Sequence, residues 1–277
     1  MHPLLTSLTL ALALALAASA SAAQTPPAPL PLWELGGFAV GGSQQAYPGS
    51  SQQVRPALAL PFFIYRGALL RADEGTLGAR AFRSESTEID IGLGGSFGSS
   101  AGDADARRGM PDIGTLIEFG PRLKVDLGPA PGAGRWRFAL PLRAVFDLND
   151  RFASKGLVLQ PEVGWGRRSQ DGWSYGAAVS AVLGNARLAD TFYGVDEAYA
   201  TPERPAYAAR AGLIAWRAST GASLRLTPDW RVFGYARFDS VAGARNQASP
   251  LVERNHGASV GIGLSWTWLR SDRPAFE

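Results

Sequence analysis

The chain has 277 residues, and 27 Lys and Arg against 24 Asp and Glu give a formal net charge of +3. Charged residues make up 18% of the sequence, below the roughly 25% of an average soluble domain. The absence of cysteine excludes a disulfide scaffold and a thiolate metal site. The 46% hydrophobic content argues against intrinsic disorder, and no later segment approaches the ~20 apolar residues of a membrane-spanning helix.

The first residues have the features of a secretory signal peptide. Residues 4–18 are mostly apolar, small residues follow at A-x-A spacing, and a proline-rich stretch comes next. We predict a cleaved signal peptide over 1–23 and an extended periplasmic lead-in over 24–32. An uncleaved membrane anchor is the alternative, although the apolar run is short for a span.

The rest of the chain alternates between apolar and polar residues, which is the period of a β-strand. In 113–127 one face contains Leu123 and Val125, and the opposite face contains Arg122 and Lys124. Segments of this kind are 33–42, 54–65, 67–72, 77–84, 86–97, 113–127, 134–147, 156–168, 172–184, 212–226, 230–240 and 256–269. Many are longer than the ~5–6 residues of average soluble strands and reach the ~9–11 residues of a tilted membrane strand. The alternation is blurred between residues 32 and 72.

The connections alternate in length. Short ones at 128–133, 169–171 and 227–229 alternate with longer ones at 98–112, 148–155, 185–206 and 241–255. Because this is typical of outer-membrane proteins, we predict an all-β fold, a transmembrane antiparallel up-and-down β-barrel of 10–12 strands over 33–269. The long loops are expected outside, and a short tail follows at 270–277. The count is twelve if every segment is a strand, and ten if 54–72 and 76–97 are each one long strand.

The polar faces of the strands predict a wet, charged lumen. The charged residues predicted to face it are Glu88, Asp90, Glu118, Arg122, Lys124, Arg137, Arg143, Glu162 and Arg237. If the turn 128–133 is centred on its hairpin, Glu118 lies directly opposite Arg143. We therefore expect these two side chains to be in contact inside the barrel.

The closing strand carries glycine followed by aromatic residues, Gly263, Trp266 and Trp268. This pattern is similar to the C-terminal insertion signal of bacterial outer-membrane barrels, although the chain continues beyond it. We expect the barrel-assembly machinery as a partner during insertion and outer-membrane lipid around the folded barrel. Other aromatic residues gather near strand ends, as in the girdles at a lipid–water boundary.

The residues capable of catalysis or metal binding favour no enzyme. The histidines are His2, in the leader, and His256, at the start of the last strand, and no G-x-S-x-G elbow is present. Asp103 and Asp105 resemble part of a calcium loop, but the glutamate expected at its end is missing. We expect no catalytic residue, no metal and no cofactor. The export leader and the strand alternation also argue against a nucleic-acid partner.

A set of residues between 47 and 124 resembles the MipA/OmpV family, that of the MltA-interacting protein. The matching signature residues are Tyr47, Pro48, Gly49, Ser50, Tyr65, Arg66, Gly67, Arg71, Asp73, Arg107, Gly109, Met110, Pro111, Asp112, Glu118, Gly120 and Pro121. Ala68 departs from the pattern, because an acidic residue is expected there. Gly49 and Gly109 suit turn positions that need positive φ. Arg66, Arg107 and Glu118, with other signature charges, are expected to form a lumen or loop ion-pair network, or to bind a partner.

The resemblance implies an outer-membrane protein with one of several roles. One family member is a scaffold that joins a lytic transglycosylase, a murein hydrolase, to a bifunctional penicillin-binding protein. Others resemble adhesins or porin-like proteins. We expect a scaffold or anchor for peptidoglycan-remodelling enzymes at the periplasmic face. The alternatives are a small-solute porin-like channel and a surface adhesin acting through loops 98–112 and 185–206, the latter with Tyr193 and Tyr199.

Overall fold

The structure, a computed structural model, describes residues 30–66, 70–73, 76–79, 82–96 and 98–275. The predicted signal peptide 1–23 lies outside these residues, and so does most of the lead-in. The strands are β1 (Trp33–Gln45), β2 (Gln53–Val54), β3 (Ala57–Arg66), β4 (Leu70–Asp73), β5 (Thr76–Ala79), β6 (Phe82–Arg83), β7 (Thr87–Ser96), β8 (Leu116–Ala130), β9 (Gly134–Asp147), β10 (Ala153–Leu159), β11 (Glu162–Arg168), β12 (Trp173–Gly184), β13 (Gly212–Arg225), β14 (Trp230–Ser240) and β15 (His256–Arg270). One α-helix, α1 (Ala186–Tyr193), lies between β12 and β13. No helix in the described ranges is long and apolar enough to cross a membrane.

The strands form a closed antiparallel barrel. Wall strands that are neighbours in sequence pair with each other, including β12 with β13. The pairing of the first strand, β1, with the last, β15, closes the ring. β10 and β11 act as one strand interrupted at Pro161, which has no backbone N–H to donate to a ladder. With β5 and β6 likewise combined and the two-residue β2 left out, the described part of the chain contains twelve wall strands. The predicted barrel is confirmed, and of the two predicted counts the structure has twelve.

Short turns and long loops lie at opposite ends of the barrel. The end with the turns at 131–133, 169–172 and 226–229, where Pro31 also bridges to Pro274, is called the turn end below. The opposite end, with the loops that follow β1, β7, β9, β12 and β14, is called the loop end. Both ends of the described barrel chain therefore lie on the side of the short turns.

The hairpin of β8 and β9 differs from the prediction in its register. The turn was predicted at 128–133, but β8 continues to Ala130 and the turn occupies only 131–133. A bulge follows between Asp126 and Gly128. Glu118 is therefore opposite Val145, two residues away from the predicted partner Arg143. The turn lies later in the chain than predicted, which moves the register, and the bulge at 126–128, before the turn, reverses part of that shift.

The outer face of the barrel is apolar. Large hydrophobic side chains exposed on it include Phe119, Leu142, Val179, Val260, Ile262 and Leu264. Aromatic pairs lie near the turn end, where the rings of Trp230 and Trp266 stack with centroids 5.1 Å apart and those of Trp173 and Tyr175 at 5.4 Å. An apolar band bordered by aromatic residues fits a lipid environment with its interface at the turn end.

The hydrophobic core lies at the loop end. Its members come from the loops and from the inner faces of the adjoining strand ends: Ala46, Tyr47, Ala104, Met110, Ile113, Leu116, Val145, Val158, Val182, Leu188, Tyr193, Val195, Ile214, Ala215, Val241, Ala244 and Leu251. We call the loop segments that contribute to this core the cap. The cap includes α1, a helix in a segment predicted to be a loop. Its first turn is capped by Asn185, whose side chain accepts a hydrogen bond from the Leu188 N–H at 3.0 Å.

Candidate functional site

The cap joins four loops of distant sequence position. Ser99 Oγ donates to the Ala46 carbonyl at 3.0 Å, and Ser249 Oγ donates to the Tyr193 carbonyl at 2.8 Å. Arg204 reaches across to the loop after β7 and donates from Nη1 to the Ala106 and Arg108 carbonyls, at 2.9 and 3.0 Å. Because these bonds tie loops to one another, the cap is a folded layer over the lumen.

Tyr47 anchors the first loop in this layer. Its hydroxyl donates to the Leu251 carbonyl at 2.8 Å, which joins the loop after β1 to the loop after β14. Gly49, with φ of 95°, turns the chain so that its carbonyl accepts bonds from the Glu253 and Arg254 N–H groups. Burial raises the pKa of Tyr47 to about 12. The phenol is therefore neutral at physiological pH.

Arg107 holds the centre of the cap. Its guanidinium carbon lies 5.8 Å from the centroid of the Tyr47 ring, within the range of a cation–π contact. Nη2 donates to the Pro111 carbonyl at 3.0 Å, and Nη1 approaches the Thr191 and Phe192 carbonyls at the last turn of α1. A cation at a helix C-terminus is favourable. Burial lowers the pKa of this guanidinium. Because the ordinary pKa of arginine is far above physiological pH, the side chain stays charged.

The lumen below the cap is lined by ion pairs between adjacent strands. Asp90 is 1% exposed and accepts from Arg122 Nε and Nη2, both at 3.0 Å, while Lys124 Nζ lies 2.5 Å from its Oδ2. Lys124 also reaches Glu88 at 3.4 Å. Arg143 Nη1 donates to Glu118 Oε2 at 2.5 Å. The expected Glu118–Arg143 contact therefore occurs, although across a diagonal of the ladder.

A second lumen cluster was not predicted as a site. Asp239 accepts from Arg217 Nε at 2.7 Å and from Nη2 at 3.1 Å, and Arg237 Nε lies 3.2 Å from its Oδ2. Of these three residues, only Arg237 is among the predicted lumen charges. The other two could have been found, because Asp239 has the same strand parity as Arg237 and Arg217 is directly opposite Asp239.

A cavity of about 950 Å³ occupies the lumen towards the turn end. Its wall includes the predicted lumen residues Glu88, Arg122, Lys124, Arg137 and Glu162, and it reaches the turn-end residues 84–87 and 165–168. A much smaller space of about 80 Å³ lies between the Glu118 and Asp239 clusters and the cap. The described lumen thus narrows from the turn end to the loop end.

The structure divides the signature residues among three places. The described members of the expected ion-pair network, Arg66, Arg107 and Glu118, have separate partners. Tyr47, Pro48, Gly49, Ser50, Arg107, Gly109, Met110, Pro111 and Asp112 lie in the cap, and Glu118, Gly120 and Pro121 lie on β8. Tyr65 and Arg66 end β3 at the turn end, where Arg66 Nη1 lies 2.7 Å from Glu34 Oε1. These charges are separate because the barrel wall spreads them over its full height. Gly67 and the side chains of Arg71 and Asp73 lie outside the described part.

The insertion-signal residues lie on both faces of β15. Gly263 is buried beneath the Phe233 ring, which would collide with any Cβ at that position. Trp266 and Trp268 are exposed on the outer face, and Trp268 covers Gly37. The glycine thus makes room inside the lumen, whereas the two indoles belong to the aromatic border at the turn end.

The residues considered for chemistry have structural contacts. His256 starts β15, and its ring stacks on Phe238 with centroids 5.9 Å apart. Asp103 accepts from the Ser100 N–H at 2.7 Å, and Asp105 accepts from Gln52 at 3.1 Å. Tyr193, considered for adhesion, is 1% exposed and donates to the Ile214 carbonyl. Its ring cannot contact another surface unless the cap opens.

Three solved structures resemble this chain in fold. The translocator domain of autotransporter NalP from Neisseria meningitidis is 11% identical over 95% of this chain and 98% of its own, with a TM-score of 0.42. An outer-membrane channel from Pseudomonas putida F1 is 7% identical over 88% and 99%, with a TM-score of 0.41. The NanC porin is 11% identical over 86% and 100%, with a TM-score of 0.36. With identities this low, the similarity does not extend to function.

The sequence itself matches a family. None of the curated proteins matches it significantly. The family model described as MltA-interacting protein MipA matches residues 36–268, which run from β1 to β15. The match therefore spans nearly the whole closed barrel with its apolar outer face. The chain belongs to the family of MltA-interacting protein MipA and is an outer-membrane β-barrel protein.

Proposed function

We propose that this barrel is a non-catalytic anchor that holds peptidoglycan-remodelling enzymes at the periplasmic face of the outer membrane. Its partners would be a lytic transglycosylase of the MltA type and a bifunctional penicillin-binding protein. The family description, which names an interacting protein, supports the first partner. The predicted signal peptide, and the position of both ends of the described barrel at the turn end, support a periplasmic orientation of that end.

The observation that carries the proposal is the difference between the two ends of the lumen. The cap fills the loop end with buried side chains such as Tyr193, Ile214 and Leu251. The turn end leads instead to the cavity of about 950 Å³. Among the described residues, the lumen is thus accessible mainly from the turn end, which the proposal assigns to the periplasm.

The turn end also presents charged side chains suitable for contact with a protein. Arg167 and Arg168 are exposed at the end of β11 beside the cavity, and Arg137 lines its wall. The tail after β15 pairs with the lead-in, because the Leu32 N–H donates to the Arg273 carbonyl at 2.8 Å. The exposed arginines Arg167 and Arg168 suit a partner with an acidic patch, since complementary charge increases association rates.

A binding measurement with the two candidate enzymes tests the proposal. The barrel is reconstituted in nanodiscs and immobilised, and each purified enzyme is passed over it. Arg167→Glu at the turn end is expected to weaken binding of the transglycosylase. Arg187→Glu, a matched charge reversal at an exposed position of α1, is expected to leave binding unchanged. If neither enzyme binds, or if only the α1 variant weakens binding, the proposal fails.

The polar cavity also favours a second candidate, a small-solute pore. Its charged wall suits a hydrated solute, but the buried cap residues stand between the cavity and the loop end. Planar-bilayer recording separates the two functions. The anchor is expected to give no single-channel steps, whereas steady steps in the unmodified protein would favour the pore.

A further inference from the structure

One hairpin of the barrel wall is too short to cross a membrane. β4 and β5 contain four residues each, and β6, which follows β5 in the wall, contains two. A tilted membrane strand needs ~9–11 residues. The other strands that flank this hairpin, β3 and β7, have ten residues each. The wall is therefore lower at β4 and β5 than on either side.

The ladder pairs show where the wall is interrupted. In the described part of the chain, β4 pairs with β3 only at Tyr65 and Arg66, and β5 pairs with β7 only at Gly92. One edge of β3 pairs with β1. Over 57–64, the other edge has no ladder partner among the described residues. Eight residues of strand correspond to about 26 Å. We call this interruption between β3 and β7, on the loop-end side of β4 and β5, the notch.

The notch borders an apolar part of the lumen. The register fixes the inward residues of β1 and β3, because Val40 is opposite Gly263 and Phe38 is opposite Ser265, on the inner face of β15. Their partners on β3, Leu58 and Leu60, therefore also point inwards. Leu60 is 47% exposed in spite of this orientation. Other exposed leucines on the wall strands, such as Leu142 and Leu264, lie on the outer face.

The opposite lumen wall is charged. Asp90 with Arg122, Glu118 with Arg143 and Asp239 with Arg217 all occur on β7 to β9 and on β13 to β14. Beside the notch, Phe38, Leu58 and Leu60 instead form an apolar part of the inner face. This explains the blurred alternation between residues 32 and 72. On β3, the residues that point to the lumen and those that point to the membrane are both apolar, so the polar half of the pattern is missing.

We propose that the acyl chain of an outer-membrane lipid enters through the notch and lies against the inner face of β1 and β3, on Phe38, Leu58 and Leu60. The notch is continuous with the lipid-facing surface, where Phe63 is 57% exposed on the outer face of the same strand. An acyl chain at this position removes the inward leucines from water. The occupant is a lipid, because the opening leads into the membrane. This proposal is independent of the anchor function.

Site-specific fluorescence quenching tests the proposal in the full barrel. The chain has no cysteine, so a single introduced cysteine carries the only thiol-reactive label. Leu60→Cys, labelled with bimane, reports on the notch. Ile262→Cys is the lipid-facing control, because Ile262 is 67% exposed on the outer face of β15. Ala178→Cys is the lumen control, because Ala178 lines the cavity on the closed wall.

Each labelled variant is reconstituted in vesicles of phospholipid with brominated acyl chains, and iodide is added as a water-soluble quencher. Brominated lipid is expected to quench bimane at position 60 to the same extent as bimane at position 262. Bimane at position 178 is expected to be quenched only by iodide. Quenching of position 60 by iodide alone, or by neither quencher, would overturn the proposal. Heat-modifiable migration in electrophoresis confirms folding, and Leu58→Cys replaces the first variant if that one does not fold.

Discussion

Arg143 donates a hydrogen bond to Glu118 at 2.5 Å, although the residue directly opposite Glu118 in the ladder is Val145. The long arginine side chain spans the diagonal between neighbouring strands, which lies within its reach. On the other side of β8 the pairs are direct, since Arg122 is opposite Asp90 and Lys124 is opposite Glu88. One strand therefore connects charges across both of its ladders, and the lumen network depends on the register of both.

Neutralising one partner of the Glu118–Arg143 pair should destabilise the barrel more than neutralising both. Both side chains are less than a quarter exposed, and Glu118→Gln removes the carboxylate that is hydrogen-bonded to Arg143. We expect a loss of about 3–5 kcal/mol for this single variant and a smaller loss for Glu118→Gln with Arg143→Gln. Urea unfolding of the protein in vesicles measures both. Additive losses would contradict a direct interaction.

Removing the Arg107 side chain should loosen the cap and leave the wall intact. Arg107→Ala removes bonds to loop carbonyls and the contact with Tyr47, for a loss of roughly 1.5–3 kcal/mol in the cap. Hydrogen exchange should accelerate at the amides of α1 but not at those of β13. Arg187→Ala, at an exposed position on the same helix, is the control and should change neither. Unchanged exchange in the Arg107 variant would show that the cap does not depend on this residue.

The cap should lose stability at alkaline pH because of Tyr47. Its pKa is raised to about 12 in the folded protein, so the folded state favours the protonated phenol. The corresponding stabilisation is complete below pH ~10 and is lost as the pH rises through the folded pKa, by up to about 3 kcal/mol. Between pH ~10 and ~12, the near-UV circular dichroism signal of Tyr47→Phe should fall less than that of the unmodified protein. Tyr193 is also buried, with a raised pKa, and should account for the remaining loss.

The two faces of β12 should respond differently to the same substitution. Val179 is 61% exposed on the outer face, and its neighbour Ala178 points into the cavity. Val179→Arg should cost about 2–4 kcal/mol near the membrane midplane, whereas Ala178→Arg places the charge in the lumen at a lower cost. Unfolding in vesicles of defined lipid measures both values. Equal losses would mean that β12 does not separate lipid from the lumen.

The alternation of residues determined most of the wall. The predicted segments 134–147 and 230–240 coincide with β9 and β14, because their apolar face meets lipid along the whole strand. The nine lumen charges came from the same period, since every second side chain turns inwards. Residues 54–84 were less predictable. There apolar residues occupy both faces of β3, and β4, β5 and β6 contain only two to four residues each.

The cap could not be derived from the sequence in this way. Tyr47, Arg107 and Tyr193 are far apart in the chain and meet only after the loops fold over the barrel. Local patterns predict which face a residue takes, but not which distant loop covers it. The signature residues in these loops therefore suggested one charged network, whereas the structure places Arg107 on an aromatic ring and Glu118 in the wall.

By itself the sequence determined that a strand wall separates an apolar surface from a polar lumen, because side-chain direction in a strand is set by a period of two residues. Only the tertiary structure decided the twelve-strand count, the β8–β9 register and the closing of the loop end. These depend on where turns and bulges place one strand against the next, and a pattern within a single strand contains no information about its neighbour.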